Sequence, residues 1–180
     1  MSVFQKNKPF FIFLLKFGGT YIVLSVFYWL YLNQYDAAAN EVDGVTHLVA
    51  RQSVAMARFL GEDATIMPHQ TEASYRFFIN QKALVRVVEG CNAVSVMILF
   101  VAFIVAFSST AKRTLLYITS GLIILHILNV MRIALLSMGL YYYKEWGSVL
   151  HDVVFPLFIY GVVVVLWIAW VSKFRGNATK

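Results

Sequence analysis

Three side chains that can carry out covalent chemistry together lie near the ends of apolar segments in this 180-residue chain. Cys91 is the single cysteine, so it is a packing residue, a reactive thiol or an intermolecular link. Arg132 and His151 are the other two. The thiolate is the nucleophilic form of cysteine, a histidine can take its proton, and an arginine can stabilise the oxyanion formed when a carbonyl is attacked. These residue types indicate nucleophilic catalysis.

Polar neighbours extend this set. Glu89 and Asn92 flank Cys91, and Asn129 lies three residues before Arg132, so that Asn129 and Arg132 share a helix face. We expect Glu89, Asn92 and Asn129 to support the reactive side chains. For Asn129, a purely structural role within a helix bundle is an equal alternative.

The other histidines do not indicate a metal site. His47 and His69 have no neighbours with metal-ligand spacing, and we expect a structural role for His126, which lies within an apolar run. The sequence has no Cys-x-x-Cys, no glycine-rich phosphate loop and no His-Glu-x-x-His. We therefore expect neither a metal nor a cofactor.

The composition shows which elements must position these residues. The chain is 60% hydrophobic, whereas an ordinary soluble domain has about 45–50% apolar residues, and its mean hydropathy is +0.71. In a soluble protein the net charge of +6 would suggest nucleic acid. Here the bilayer is the expected partner, because the positive charges flank apolar segments.

Four apolar runs predict an all-α membrane protein with one domain over residues 1–180, a four-helix transmembrane bundle. The predicted spans cover residues 10–32, 91–107, 115–138 and 153–171. The second is short, about 24 Å at 1.5 Å per residue. Pro156 lies in the first turn of the fourth, where its missing N–H has little effect. A small extracytoplasmic segment, residues 33–90, joins helices 1 and 2.

The charges orient these spans. Lysines and arginines without acids lie before or within the first span, after the second and after the fourth, whereas all nine acids lie in the other two connections. The positive-inside rule then predicts cytoplasmic termini, a cell inner membrane location and a site facing the periplasm or exterior. A cleaved signal peptide ending near residues 37–39 is an alternative, although its apolar stretch exceeds the usual 7–15 residues.

The extracytoplasmic segment contains an amphipathic pattern. Its large apolar residues recur near one face with helical spacing: Val45, Leu48, Val49, Met56, Phe59 and Leu60. Asp43 or Thr46 can cap the start of this helix and Gly61 can end it, and we expect it to lie on the bundle or at the lipid interface. Residues 75–88 are also compatible with two short strands.

This topology brings the three reactive residues to one depth. Cys91 begins the second span, Arg132 lies about 26 Å beyond the start of the third, and His151 precedes the fourth. Each residue also has an ordinary explanation. Cys91 can be a small buried hydrophobe, Arg132 can extend to the lipid head groups, and His151 can be a polar residue at the interface. Their common placement favours catalysis.

The segments around these residues resemble the exosortase and archaeosortase family of membrane-embedded cysteine transpeptidases, and F-type exosortases in particular. The segments that carry the resemblance are Val88-Glu89-Gly90-Cys91-Asn92-Ala93-Val94-Ser95, Asn129-Val130-Met131-Arg132-Ile133 and His151-Asp152. Asn92-Ala93 follows the cysteine where many members have Ser-Gly. Phe155, four residues after His151, occupies a position at which family members often have a glycine.

The resemblance implies that Cys91 is the nucleophile, His151 the general acid and base, and Arg132 the stabiliser of the anionic intermediate. The implied substrates are exported proteins with a C-terminal sorting signal, made of a short motif, a transmembrane helix and a basic tail. The acyl group passes to an acceptor that the resemblance does not identify. A non-catalytic membrane assembly or chaperone protein is the alternative function, and a transporter is disfavoured because no repeat pair is present.

The predicted depth of Cys91 has a direct test. A thiol reagent that cannot cross membranes should label Cys91 from outside, and a nearby cation should speed the reaction by raising the thiolate fraction. The measurement is the mass of the protein after labelling of intact cells and of inverted vesicles. Labelling only from the cytoplasmic side would contradict the topology, and poor labelling from both sides would indicate a buried thiol.

Overall fold

A computed structural model describes residues 7–175 of the chain, which form long helices and one small antiparallel sheet. The helices are α1 (Lys8–Leu32), α2 (Gly44–Phe59), α3 (Val94–Ala106), α4 (Ala111–Tyr142) and α5 (Phe155–Arg175), and the strands are β1 (Ala64–Pro68), β2 (Tyr75–Ile79) and β3 (Lys82–Val87). Short helical turns cover Glu89–Cys91 and the connection between α4 and α5.

Three of these helices are long and apolar enough to cross a membrane: α1, α4 and most of α5. The structure thus supports a membrane protein, as the composition predicted. α3 has 13 residues, or about 20 Å, which is less than the roughly 30 Å hydrocarbon core. The structure therefore identifies three candidate spans rather than a complete four-helix bundle.

The helix of the second predicted span begins at Val94, three residues after the predicted start of the span. Residues 91–93 are not α-helical, because Glu89–Cys91 forms a 3₁₀ turn and Ala93 has a left-handed φ of 64°. A right-handed helix cannot include such a residue. Cys91 accordingly lies on a turn before α3 rather than in its first turn.

The sheet corrects the all-α prediction. The strand order is β1-β2-β3, and Ile79 pairs with Ala64 on one side and Lys82 on the other. Asn80 and Gln81 both have positive φ, as a tight type I′ hairpin turn requires. The sequence indicated β2 and β3 as two short strands and missed β1. An isolated hairpin is marginally stable in water, and burial of Phe77, Ile79 and Val87 in the core stabilises this one.

The amphipathic helix is present as α2. The Asp43 carboxylate accepts a hydrogen bond from the Thr46 N–H (2.9 Å), and Gly61 follows the helix with a φ of +97°, as its predicted limits require. Its inner face differs from the predicted one, however, since it consists of smaller residues: Thr46, Val49, Ala50, Ser53, Val54 and Ala57. Phe59 is 84% exposed. Small side chains let α2 approach α4 closely, so several of the large ones face outward.

α4 connects two separate cores. At its C-terminal half, Val130, Ile133 and Ala134 pack with α2 and the sheet. Toward its N-terminal half, Leu125 packs with residues of α3 and α5, including Phe100 and Trp170. With 32 residues, or about 48 Å, α4 is longer than a bilayer is thick. We call the end of the bundle that carries the sheet the sheet end.

Gly121 of α4 lies against the Phe100 ring of α3, and a substitution can test this contact. A Cβ at Gly121 would overlap the Phe100 ring, which is fully buried. We expect Gly121→Ala to destabilise the protein by about 1–3 kcal/mol, because overpacking forces side chains off their rotamers. Thermal unfolding in detergent measures this effect.

Gly161→Ala is the matched control, since nothing lies within 4 Å of a Cβ at that position on α5. It should leave the unfolding temperature unchanged or slightly raised. Equal stability of the two variants would contradict the packing of α3 against α4.

Candidate active site

Cys91 lies at the junction between the sheet and the helices. It ends the 3₁₀ turn Glu89–Cys91, which joins β3 to α3, and its N–H donates to the Val88 carbonyl (2.9 Å). The side chain is half-buried and packs against the core that α2, α4 and the sheet share. The thiol is thus at the end of the bundle where apolar helices meet the sheet.

Asn129 connects this turn to α4. Its side chain is fully buried, and its amide nitrogen donates to the Cys91 carbonyl (2.8 Å). The amide oxygen of Asn129 accepts from the Arg132 guanidinium at 3.4 Å, a long hydrogen bond. One buried amide therefore contacts both the main chain of the cysteine and the arginine.

Arg132 has an incompletely satisfied guanidinium. Its Nε is buried and has no hydrogen-bond partner among the residues that the structure describes. A buried donor without a partner is unfavourable by about 1–3 kcal/mol, and more when it is charged. Such a guanidinium is suited to bind an anion or an oxyanion that forms beside it.

A second hydrogen-bonded group surrounds Asn92, the buried residue after the cysteine. Its amide nitrogen donates to the Tyr28 hydroxyl (2.8 Å) and the Thr46 hydroxyl (3.1 Å), and its oxygen accepts from the Val94 N–H (2.9 Å). The Tyr28 hydroxyl in turn donates to Glu89 (2.6 Å). These bonds hold the cysteine turn against α1 and α2.

Ala93 completes this turn with its left-handed backbone. A residue with a Cβ is less stable in that conformation by about 1–2 kcal/mol, and glycine avoids the strain. This explains in physical terms why a glycine suits this position, as in the Ser-Gly pattern noted above. The sharp change of direction lets Asn92 cap α3.

His151 lies on another element, the π-helical turn Leu150–Val154 before α5, and its side chain is exposed. Its depth follows from the contacts of the parallel helices α3 and α5. Trp170 donates to the Phe107 carbonyl (3.1 Å), and Trp167 stacks on Phe103 with ring centroids 4.3 Å apart.

In sequence, Trp170 lies 63 positions after Phe107, and Trp167 lies 64 positions after Phe103. The same offset places Cys91 level with residues 154–155, within about one helical turn of His151 along the bundle axis. The structure therefore brings Cys91, Asn129 and Arg132 into one group, and the offset places His151 near their depth on a separate, exposed turn.

The remaining histidines lie elsewhere. His126 is hydrogen-bonded to Gln52 (2.6 Å), and a ring nitrogen of His69 accepts from the Thr71 N–H. His47 is hydrogen-bonded to Tyr75, whose pKa is raised by burial. Among residues 7–175, no three His, Cys, Asp or Glu side chains are placed to hold a metal ion.

Sequence reasoning missed two members of the site. Tyr28 was counted only as part of the first span, and Thr46 only as a candidate cap. The single signal for Tyr28 was its position near the C-terminal end of that span, at the expected depth of Cys91. Nothing in the sequence pointed to the bond between Thr46 and Asn92, which depends on how α2 packs.

The fold and site define a membrane protein with a polar, cysteine-containing site at one end of its helices. A family model described as transmembrane exosortase (Exosortase_EpsH) matches residues 11–169. The chain therefore belongs to the transmembrane exosortase family, and the matched region includes Cys91, Arg132 and His151. No curated protein and no solved structure matches the chain.

The contacts of Asn92 lead to a prediction about stability. Asn92→Ala removes the partner of the Thr46 hydroxyl and of the Val94 N–H, and an unsatisfied buried group is unfavourable by about 1–3 kcal/mol. We expect a lower unfolding temperature in detergent. Ser95→Ala is the control. It changes an exposed residue three positions after Asn92 and should alter stability by less than about 0.5 kcal/mol. A fully stable Asn92→Ala would show that these bonds do not hold the turn.

Proposed function

We propose that this protein is a cysteine protease or transpeptidase that cleaves C-terminal sorting signals of exported proteins and transfers the product to an acceptor. The family match supports an exosortase-like role in the membrane, and the F-type assignment follows from the resemblance of the motif segments. The observation that carries the proposal is the buried Asn129 amide, which contacts both the Cys91 carbonyl and the Arg132 guanidinium.

In the proposed mechanism, the Cys91 thiol transfers its proton to His151 and the thiolate attacks the carbonyl carbon of the scissile amide. Arg132 stabilises the negative charge that develops on the carbonyl oxygen. Collapse of this intermediate breaks the C–N bond, and His151 returns the proton to the leaving amine. The acyl group is then held as a thioester on Cys91.

The second half of the reaction uses the same groups in reverse. A nucleophilic group of the acceptor, or water, loses its proton to His151 and attacks the thioester carbonyl. The thiolate leaves and regains the proton from His151. This step completes transfer or hydrolysis without a metal or a cofactor.

Asn129 has a positioning role in this proposal. Its oxygen orients the guanidinium, and its nitrogen holds the main chain of the nucleophile at a fixed distance. Asn92 and Glu89 act through Tyr28, since their bonds keep the cysteine turn against α1. An active site of this kind needs its reacting groups held by such supporting contacts.

The proposed site lies at the outer face of the cell inner membrane, with both termini in the cytoplasm. Two observations support this orientation. Of the basic residues in the acid-free segments, Lys8, Lys112, Arg113 and Lys173 lie near the helix ends opposite the sheet. The hydrogen-bonded groups lie where the apolar helices meet the sheet. The scissile amide of a membrane-anchored substrate would then lie just outside the bilayer.

Substitutions separate the proposed roles. Cys91→Ala should abolish processing of an exported protein that ends in a short motif, a membrane-spanning helix and a basic tail. Arg132→Lys keeps the charge but loses the planar set of donors, so it should lower the rate by about 10²–10³-fold, as removal of one oxyanion donor does. Processing of the tagged substrate in cells, at equal amounts of each variant, measures both effects.

His151→Ala should also block processing near neutral pH, with partial recovery as the pH rises toward the ordinary thiol pKa of about 8.5. Arg51→Lys, which changes an exposed arginine outside the site, is the control and should process normally. Normal processing by Cys91→Ala would refute the enzyme and favour the non-catalytic assembly or chaperone role. Normal processing by Arg132→Lys would remove only the oxyanion role.

A further inference from the structure

β3 is the edge strand that leads to the cysteine. The sheet order is β1-β2-β3, so β3 pairs with β2 on one side only. Within residues 7–175, no hydrogen bond joins the other side of β3 to any backbone or side-chain group. Since alternate residues of an edge strand direct their N–H and C=O groups outward, β3 presents a row of unpaired main-chain groups.

The opposite edge of the sheet is different. β1 packs beside α2, and the Arg58 guanidinium donates to the Ala64 carbonyl (2.8 Å). A side chain therefore binds one outward main-chain group of β1, whereas among residues 7–175 none binds an outward group of β3.

β3 also has a direction relative to the bundle. At its start, the Lys82 amino group lies 5.1 Å from the ring centre of Tyr141, near the C-terminal end of α4. Val87, at its end, is four residues before Cys91, whose carbonyl is bound by Asn129. β3 thus runs from the far part of the sheet end toward the level of the thiol.

We propose that the edge of β3 binds the extended segment of the substrate that precedes the scissile amide, as an added parallel strand. This inference rests on the proposed function, in which a substrate enters the membrane through a helix that follows its recognition segment. Such a substrate runs from the exterior toward the membrane, as β3 does, so the added strand is parallel. Main-chain hydrogen bonds supply the binding, as in other cases of strand addition.

The lengths are compatible with this mode. β3 has six residues and spans about 20 Å at 3.3 Å per residue, which accommodates a recognition segment of about the same number of residues. Beside it, a pocket of about 350 Å³ is lined by Ala83, Leu84, Val85, Arg86, His69 and Arg76. Side chains of the added strand that project to this face would enter the pocket.

Disulfide cross-linking tests the binding mode and its direction. In the Cys91→Ala protein, new cysteines are placed singly at Ala83, in the exposed part of β3, and at Val88, which is 39% exposed. The partner is a tagged exported protein of the same organism that ends in a motif, a membrane helix and a basic tail. It carries single cysteines at successive positions before its helix. Met67→Cys on β1, an exposed residue, is the control, and thermal unfolding verifies that each variant is folded.

Parallel pairing predicts that Ala83→Cys reacts with earlier substrate positions and Val88→Cys with positions about four or five residues later, because each strand advances equally per residue and Leu84 is a bulge. The cross-linking yields of Ala83→Cys and Val88→Cys should each exceed the yield of Met67→Cys several-fold. A reversed order, absent cross-links or equal yields at Met67→Cys would overturn the inference. If the same substrate is processed in a Cys91-dependent manner despite that result, the proposed function stands. Processing by Cys91→Ala, in contrast, would refute the function itself.

Discussion

The side-chain amide of Asn129 constrains two parts of the chain that are 38 positions apart. Because it is fully buried, its donor and acceptor groups need partners, and it finds them in the Cys91 carbonyl and the Arg132 guanidinium. This requirement fixes the cysteine turn against α4 and places a cation near the thiol. Loss of the contact would leave unpaired polar groups among apolar side chains, an arrangement that is strongly unfavourable.

The position of the cysteine turn depends on where α3 begins. Since Ala93 is left-handed and α3 begins only at Val94, the chain changes direction before it enters the bundle. Cys91 therefore lies beside the sheet rather than within a helix. A half-buried thiol at such a boundary is partly accessible and has surroundings of low polarity, in which a nearby charge acts more strongly than in water.

α4 makes this arrangement rigid by joining both cores. Its first half packs with α3 and α5, and its second half packs with α2 and the sheet. A two-stranded hairpin such as β2–β3 is marginally stable alone in water. Packed on α4 it places β3, which leads directly into the cysteine turn, at a fixed position relative to Arg132. The same helix thus supports the proposed nucleophile, the arginine and the strand that we propose to bind substrate.

The sequence alone determined the membrane character, the long apolar helices and the limits of α2, because hydropathy, helical periodicity and the Asp43 cap are local properties. It also singled out Cys91, Arg132 and His151 from residue type and depth, and Asn129 as a candidate supporting residue on the helix face of Arg132. Only the tertiary structure decided β1, the small inward face of α2 and the bonds of Asn92 to Tyr28 and Thr46. The physical reason is that these features depend on contacts between distant segments, and a residue such as Tyr28 acquires its role from the partner that packing brings to it.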